Sequence, residues 1–476
     1  MSFALLPALL PPLLGWLACR RVARAAGTAA LWLDLLFPLG LPLLLLGLTG
    51  LPWLSGVLAG LPLAGLALAD ATKRAVLQEP VVFSDAAMLP LVVRHPGLYL
   101  PFAGTGWVLG GAALGAAVLA VLAGLEPVAL RGTPRVLLAV LGLGLLLLLL
   151  VPPARLRAAL AREPFADTRR FGTLATLALF RAVAWAERPA RRAAFPAAAL
   201  RPAAPAPHVV LVQMESFWDP RGTLPGAPPL PNWDRLAAAA IGQGRLRVPG
   251  FGANTMRAEF AVLTGIGEGA LGLDRFNPYF RFARAGLRSL AGGLATAGYA
   301  TVALHPFDRR FFGRHRVLPA LGFGRFVAAA GFAGAPRAGG YVADAAVAAR
   351  ILDELRAASG PALAFAITMQ AHGPWPGHDP RAQWLGHLRD ADAMLGLLAD
   401  AAPSLGRPLV LCAYGDHLPA LPDTAGLGDR RSSWLLWRSD AAGAGARRDI
   451  GAEELFHALG AALTGQPWRP APADPT

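Results

Sequence analysis

Hydrophobic and polar positions divide this chain into two regions that need different solvents. The first 153 or so residues are long Leu/Ala/Gly/Val tracts with few charges. From about residue 208, charges, turns and amphipathic stretches alternate as they do in a globular α/β protein. Crossing a bilayer takes about 20 apolar residues, and five segments reach or approach that length: 3–19, 29–49, 51–70, 101–124 and 135–153. The first lacks a basic leader, and Arg20, Arg21 and Arg24 follow it, so it reads as a span and not as a signal peptide. In the second region, buried-strand patterns fall at 208–214, 243–248, 299–304, 362–369, 408–414 and 433–437. Helical patterns fall near 255–265, 285–297, 342–358, 386–402 and 452–464. Alternation of this kind predicts a mostly parallel sheet covered by helices. The expected organisation is a transmembrane domain of about five helices over 1–153, an Arg/Pro-rich connector over 154–207, an α/β domain over 208–465 and a disordered tail over 466–476. Within the connector, an amphipathic stretch near 171–187 is expected to lie on the membrane surface.

Composition sharpens this picture in two ways. Hydrophobic residues make up 55% of the chain and charged residues 16%, too apolar for a protein that is soluble throughout. The net charge of +14 comes from arginine, and part of it clusters between Arg155 and Arg201. These arginines follow directly on apolar spans, and no zinc-finger spacing or basic-aromatic RNA signature occurs. The expected partners are therefore an anionic membrane surface or a phosphate-bearing substrate, with no nucleic acid. Cys19 and Cys412 read as small buried hydrophobes, with no disulfide or zinc framework.

Candidate chemistry gathers at strand ends, where doubly wound sheets place their ligands. Glu215 is the first charged group after the strand 208–214, well placed to hold a divalent metal; the bland alternative is a solvated loop acid. A Gly-rich turn, Val248-Pro-Gly-Phe-Gly-Ala-Asn-Thr255, delivers Thr255 to a helix start, where free N–H groups and the helix dipole favour phosphate. A threonine hydroxyl there can attack phosphorus if a metal lowers its pKa. Taken alone, an ordinary helix N-cap is the commoner reading. Asp416 and His417 follow the strand 408–414 as a ligand pair suited to Mn²⁺, Zn²⁺ or Mg²⁺. His372 and His305 follow two further strands, and His372 is placed to bind substrate or shuttle a proton.

Three segments, Val-Gln-Met-Glu215-Ser-Phe, Asn254-Thr255-Met-Arg-Ala-Glu259-Phe with Leu263-Thr-Gly265, and Tyr414-Gly-Asp416-His417-Leu-Pro, resemble the lipoteichoic acid synthase-like phosphoglycerol transferases of the alkaline phosphatase/sulfatase superfamily. The similarity spans about 208–440, and family members carry five transmembrane helices before the catalytic domain. The resemblance implies that Glu215, Thr255, Asp416 and His417 surround one Mn²⁺-like ion, with Thr255 as nucleophile and His372 beside the transferred group. The stretch His305-Pro-Phe-Asp308-Arg-Arg-Phe-Phe-Gly-Arg314 resembles the family's headgroup-binding segment, which makes His305, Asp308 and Arg314 candidate substrate ligands, with Arg257 a further one. Phe312 stands where many members have tryptophan.

The resemblance implies metal-dependent transfer of phosphoglycerol from a phosphatidylglycerol-like lipid to a glycan or lipid acceptor through phosphoglyceryl-Thr255. It also implies catalysis at the outer, periplasmic face of the cytoplasmic membrane. The short-loop charges at 20–24 and 73–94 argue for the opposite orientation, and the expectation sides with the family. The rivals are a phosphodiesterase or phosphoethanolamine transferase of the same superfamily, and a non-enzymatic membrane scaffold. A formylglycine sulfatase needs Cys or Ser in a C/S-x-P-x-R setting, which Thr255-Met-Arg-Ala-Glu lacks.

Overall fold

A computed structural model describes residues 2–375, 378–441 and 443–468. The chain divides into two compact units, Met1–Arg188 and Pro189–Thr476. Of the expected tail, residues 466–468 are described and 469–476 fall outside the described residues.

The N-terminal unit is helical. Among the described residues, four helices are long and apolar enough to cross a membrane: α1 (Ser2–Ala23), α2 (Leu31–Thr49), α3 (Pro52–Val76) and α4 (Thr105–Leu125). The fifth expected span forms the shorter helix α5 (Thr133–Leu148), 16 residues long. Its shortness is offset by close packing on α2. A Cβ on Gly142 would meet the Leu44 backbone at 2.3 Å, and one on Gly47 would meet the Ala139 backbone at 2.5 Å. Small residues let two backbones approach where lipid gives no hydrophobic drive. Asp34 is fully buried and accepts hydrogen bonds from Trp16 Nε1 at 2.8 Å, Arg20 Nη1 at 3.0 Å and the Ala175 N–H at 3.0 Å.

Two helices follow, α6 (Pro164–Phe171) and α7 (Thr173–Ala193). The apolar stripe of the expected amphipathic stretch is covered by protein. Phe171, Ala175 and Leu179 pack with Ala30, Leu33 and Leu36 of the N-terminal unit, so the chain itself covers that face.

In the second unit, β1 (His208–Met214), β2 (Gly242–Arg247), β3 (Ala300–Leu304), β4 (Arg325–Val327), β5 (Arg337–Ala338), β6 (Tyr341–Val342), β7 (Ala362–Ile367), β8 (Leu409–Gly415), β9 (Ser432–Arg438) and β10 (Ile450–Gly451) form two sheets. The large sheet has the order β10-β2-β9-β8-β1-β7-β3-β4, and β5 and β6 make a separate hairpin. The pairs β8–β1, β1–β7, β7–β3 and β3–β4 are parallel; β9 runs antiparallel to both of its neighbours. β1 and β8 are buried along their whole length, as expected of central strands between covering layers. The helices α8 (Met256–Thr264), α9 (Asp344–Ala357), α10 (Pro380–Asp400) and α11 (Glu454–Thr464) match expected ones. The helix expected over 285–297 shrinks to Leu290–Ala295. Ser289 caps its start by accepting the Gly292 N–H, and Gly292 and Gly293 lie inside it, where glycine costs about 1 kcal/mol per position relative to alanine.

Candidate functional site

Strand register builds the site. Met214 pairs with Gly415 across the parallel β1–β8 ladder, so the residues that follow, Glu215 and Asp416, emerge side by side. Gly415 is required at this point: a Cβ there would lie 1.7 Å from the Phe217 carbonyl oxygen. Glu215, Asp416 and His417 are all buried, and each offers one ligand atom within 4.8 Å of the others. His417 Nε2 lies 3.2 Å from Asp416 Oδ2 and 3.7 Å from Glu215 Oε1. Its Nδ1 faces the Leu418 carbonyl at 3.0 Å, a contact that places the proton on Nδ1 and leaves the Nε2 lone pair to a cation.

The turn around this cluster is fixed by its own hydrogen bonds. Asp416 Oδ1 accepts from the N–H groups of Ser216 at 2.8 Å and His417 at 2.9 Å. Ser216 sits at φ +50° and donates its hydroxyl to Glu215 Oε1 at 2.8 Å. Thr368, at the end of β7, accepts the Glu215 N–H at 3.0 Å.

Electrostatics leave the cluster short of positive charge. Burial, then the Asp416 charge, push the Glu215 carboxyl up, against the pull of His417. Burial raises Asp416 as well, and His417 opposes it. Asp416 Oδ2 is buried and receives no hydrogen bond. A buried carboxylate oxygen without a donor is costly, and a divalent cation held by two carboxylates and an imidazole would remove that cost. The residues fit such an ion. Their mixed oxygen and nitrogen set suits Mn²⁺, Zn²⁺ or Mg²⁺.

Thr255 precedes α8, after Asn254 in the left-handed region at φ +66°. Its side chain caps no backbone N–H, so the ordinary N-cap reading does not describe it. Instead the hydroxyl lies close enough to Asp416 to lower that carboxyl's pKa.

The other sequence candidates divide. His372, half-buried, has Nδ1 against the Gly373 carbonyl, and burial lowers its pKa. His305 and Arg314 are brought together: Arg314 Nη1 lies 3.0 Å from His305 Nε2, with both groups buried. Arg314 is also paired with buried Glu259, through Nε at 3.0 Å and through Nη2. Asp308 closes a local turn, with Oδ1 accepting the Arg310 N–H at 2.9 Å. Arg257 donates to the carbonyls of Phe276 at 2.8 Å and Pro249 at 3.3 Å, which braces the Thr255 loop. Arg257 and Ala261 line a cavity of about 320 Å³ along α8.

A family model described as Sulfatase matches residues 207–463. The chain belongs to the sulfatase family. Among relatives, it is 38% identical to the capsular polysaccharide biosynthesis protein RkpI of Rhizobium meliloti, over 46% of this chain and 43% of that protein. It is 30% identical to a putative cyclic beta-1,2-glucan modification protein of the same organism, over 45% of this chain and 36% of that one. The match thus spans less than half the length of either relative. Among solved structures, the integral membrane lipooligosaccharide phosphoethanolamine transferase A of Neisseria meningitidis superposes with a TM-score of 0.52 at 16% identity, covering 96% of this chain and 94% of that one. That likeness shows the fold: a helical N-terminal unit followed by an α/β unit of the sulfatase family.

Around this sulfatase-family centre, sequence reasoning missed three supporting residues. Glu259 lay inside a quoted motif, but nothing in the spacing named Arg314 as its partner. Gln213 accepts from Tyr414 OH at 2.6 Å and donates to Glu259 Oε1 at 3.2 Å. Tyr341 stacks obliquely on His372, with ring centroids 5.6 Å apart. A lone tyrosine beyond a Gly-Gly pair carries no motif, so only the fold reveals it.

Proposed function

We propose that this protein is a metal-dependent phosphoglycerol transferase, acting on a phosphatidylglycerol-like lipid through a covalent Thr255 intermediate. The observation that carries the reading is a threonine at a helix start whose hydroxyl caps nothing and instead adjoins a buried Asp416–His417–Glu215 cluster. A bound divalent ion would supply the positive charge that lowers the Thr255 hydroxyl pKa and offsets charge on the phosphoryl oxygens.

Thr255 Oγ1 attacks phosphorus, and the bond from phosphorus to the diacylglycerol oxygen breaks. The threonine's proton leaves with diacylglycerol, with His372, kept neutral by its burial, as the carrier. An acceptor hydroxyl then attacks the phosphoglyceryl-threonine, its proton returning to Thr255. The loop of free N–H groups before α8 favours the anionic phosphoryl group. The names of the two Rhizobium relatives favour a glycan acceptor. Confinement of the donor to the bilayer gives the apolar helices their use.

Phosphoethanolamine transfer is the second reading, favoured by the whole-chain likeness to a phosphoethanolamine transferase. Diacylglycerol release from labelled phosphatidylglycerol by detergent-solubilised protein, with and without Mn²⁺, separates the two. Metal-dependent release that disappears in a folded Thr255→Ala variant is the expected result. Release that persists in that variant would remove Thr255 as nucleophile. Release from phosphatidylethanolamine alone would move the donor to the second reading.

A further inference from the structure

The hairpin β5–β6 reaches the site without belonging to the large sheet. Its two-residue turn is Gly339-Gly340, at φ +59° and +87°, which only glycine adopts without strain. A Cβ on Gly339 would stand 2.8 Å from the His387 ring and 3.2 Å from the Gln370 carbonyl oxygen, so the turn is seated directly on the segment that leads to His372. Gln370 clamps the assembly. Its Oε1 accepts the Asp344 N–H at 2.7 Å, just beyond the hairpin, and its Nε2 reaches His387 Nδ1 at 3.0 Å and Asp390 Oδ2. Val342, next in the hairpin, is buried in the core.

Tyr341 is thereby held from both sides. Its ring lies 5.6 Å from His372 and 6.5 Å from Phe307, which in turn lies 6.1 Å from His305. These rings form a continuous wall from one strand end to the next. Burial, then the Glu215 charge, raise the Tyr341 phenol, so it stands in the wall as a protonated donor. No protein group among the described residues takes a hydrogen bond from it.

We propose that Tyr341 is a specificity-determining residue of the Thr255 site, whose hydroxyl bonds the hydroxylated headgroup carried on the phosphorus. The proposal rests on the phosphoglycerol reading for the identity of that headgroup, and not for the placement of the residue.

Calorimetric titration of the full-length protein in detergent with Mn²⁺ tests it, using sn-glycerol 1-phosphate, O-phosphoethanolamine and methyl phosphate. The wild type is expected to prefer glycerol phosphate to methyl phosphate. Tyr341→Phe keeps the ring wall and should weaken glycerol phosphate about tenfold, the loss of one good hydrogen bond, with methyl phosphate within about twofold. Equal weakening of all three, no change in the variant, or a wild type that binds all three alike would overturn the assignment. If the wild type selects phosphoethanolamine and Tyr341→Phe removes that selectivity, Tyr341 keeps its role and the phosphoglycerol reading falls. Because the readout is binding, the result does not depend on turnover.

Discussion

Glu259 is fully buried, yet it gathers four donors: Tyr279 OH at 2.8 Å, Gln213 Nε2 at 3.2 Å and two guanidinium nitrogens of Arg314. A guanidinium can only donate, so His305 Nε2 must accept from Arg314, and the His305 proton sits on Nδ1 facing the Ile367 carbonyl at 3.3 Å. Burial and the Arg314 charge both drive the His305 pKa well down, which agrees with a neutral ring. The Arg314 charge is thus already matched by Glu259 inside the protein, and what remains for substrate is geometry more than net charge. Removing one member of a buried pair leaves the other uncompensated, at a cost of about 3–5 kcal/mol. Glu259→Gln is therefore expected to lower the thermal unfolding midpoint in detergent sharply, and Glu259→Gln/Arg314→Met to recover part of the loss. Additive losses in the double variant would show that the two side chains do not act as a pair.

At the level of elements, Asp344 opens α9 and touches the Gln370 clamp. It is buried, Oδ1 receives no hydrogen bond, and burial together with Asp390 raises its pKa to about 8. An unfolded aspartate titrates near 3.9. Between these values the folded state holds a proton that the unfolded state has released, so stability falls as pH rises from about 4 to about 8. Asp344→Asn should flatten that slope and unfold at higher temperature than the wild type at pH 8.5, and a parallel pair of melting curves from pH 5 to 9 would decide it. This element was half legible. The apolar period of 344–357 gave the helix, but no pattern could give the hydrogen bond from its first N–H to Gln370. The same division runs through the unit. Of the six strands read from the sequence, β1, β3, β7 and β8 were readable because parallel strands inside a sheet are apolar runs, and parallel register then forces Glu215 beside Asp416. The two-residue strands β5 and β6 carry no period, so Tyr341 could not be placed. The amphipathic stretch near 171–187 was readable as a helix, but whether lipid or protein covers its apolar face is a tertiary fact that periodicity does not contain.

For the molecule as a whole, orientation is the open physical question, and the N-terminal packing narrows it. Gly40 meets Gly142 while Gly47 meets Ala139, so α2 and α5 run antiparallel along a shared length despite the shortness of α5. If α5 crosses with α2, the chain leaves the fifth helix on the side that also holds residues 20–24 and 73–94. Lysine and arginine in short loops favour the cytoplasm, which would carry the second unit inward. Several of those charges are engaged within the fold: Arg20 pairs with Asp34, Lys73 with Glu79 and Asp85, and Arg74 with Asp70. Acidic partners count little during insertion, so these pairs leave the rule standing. The family resemblance implies the outer face, and a large following domain can translocate against its charge. The expected outcome is that a reporter active only outside the cytoplasm, fused after residue 468, gives signal, while one fused in the segment 126–132 does not. The opposite pattern would put the Thr255 site in the cytoplasm. The lipid donor would then have to be met on the inner leaflet and the acceptor sought among cytoplasmic precursors.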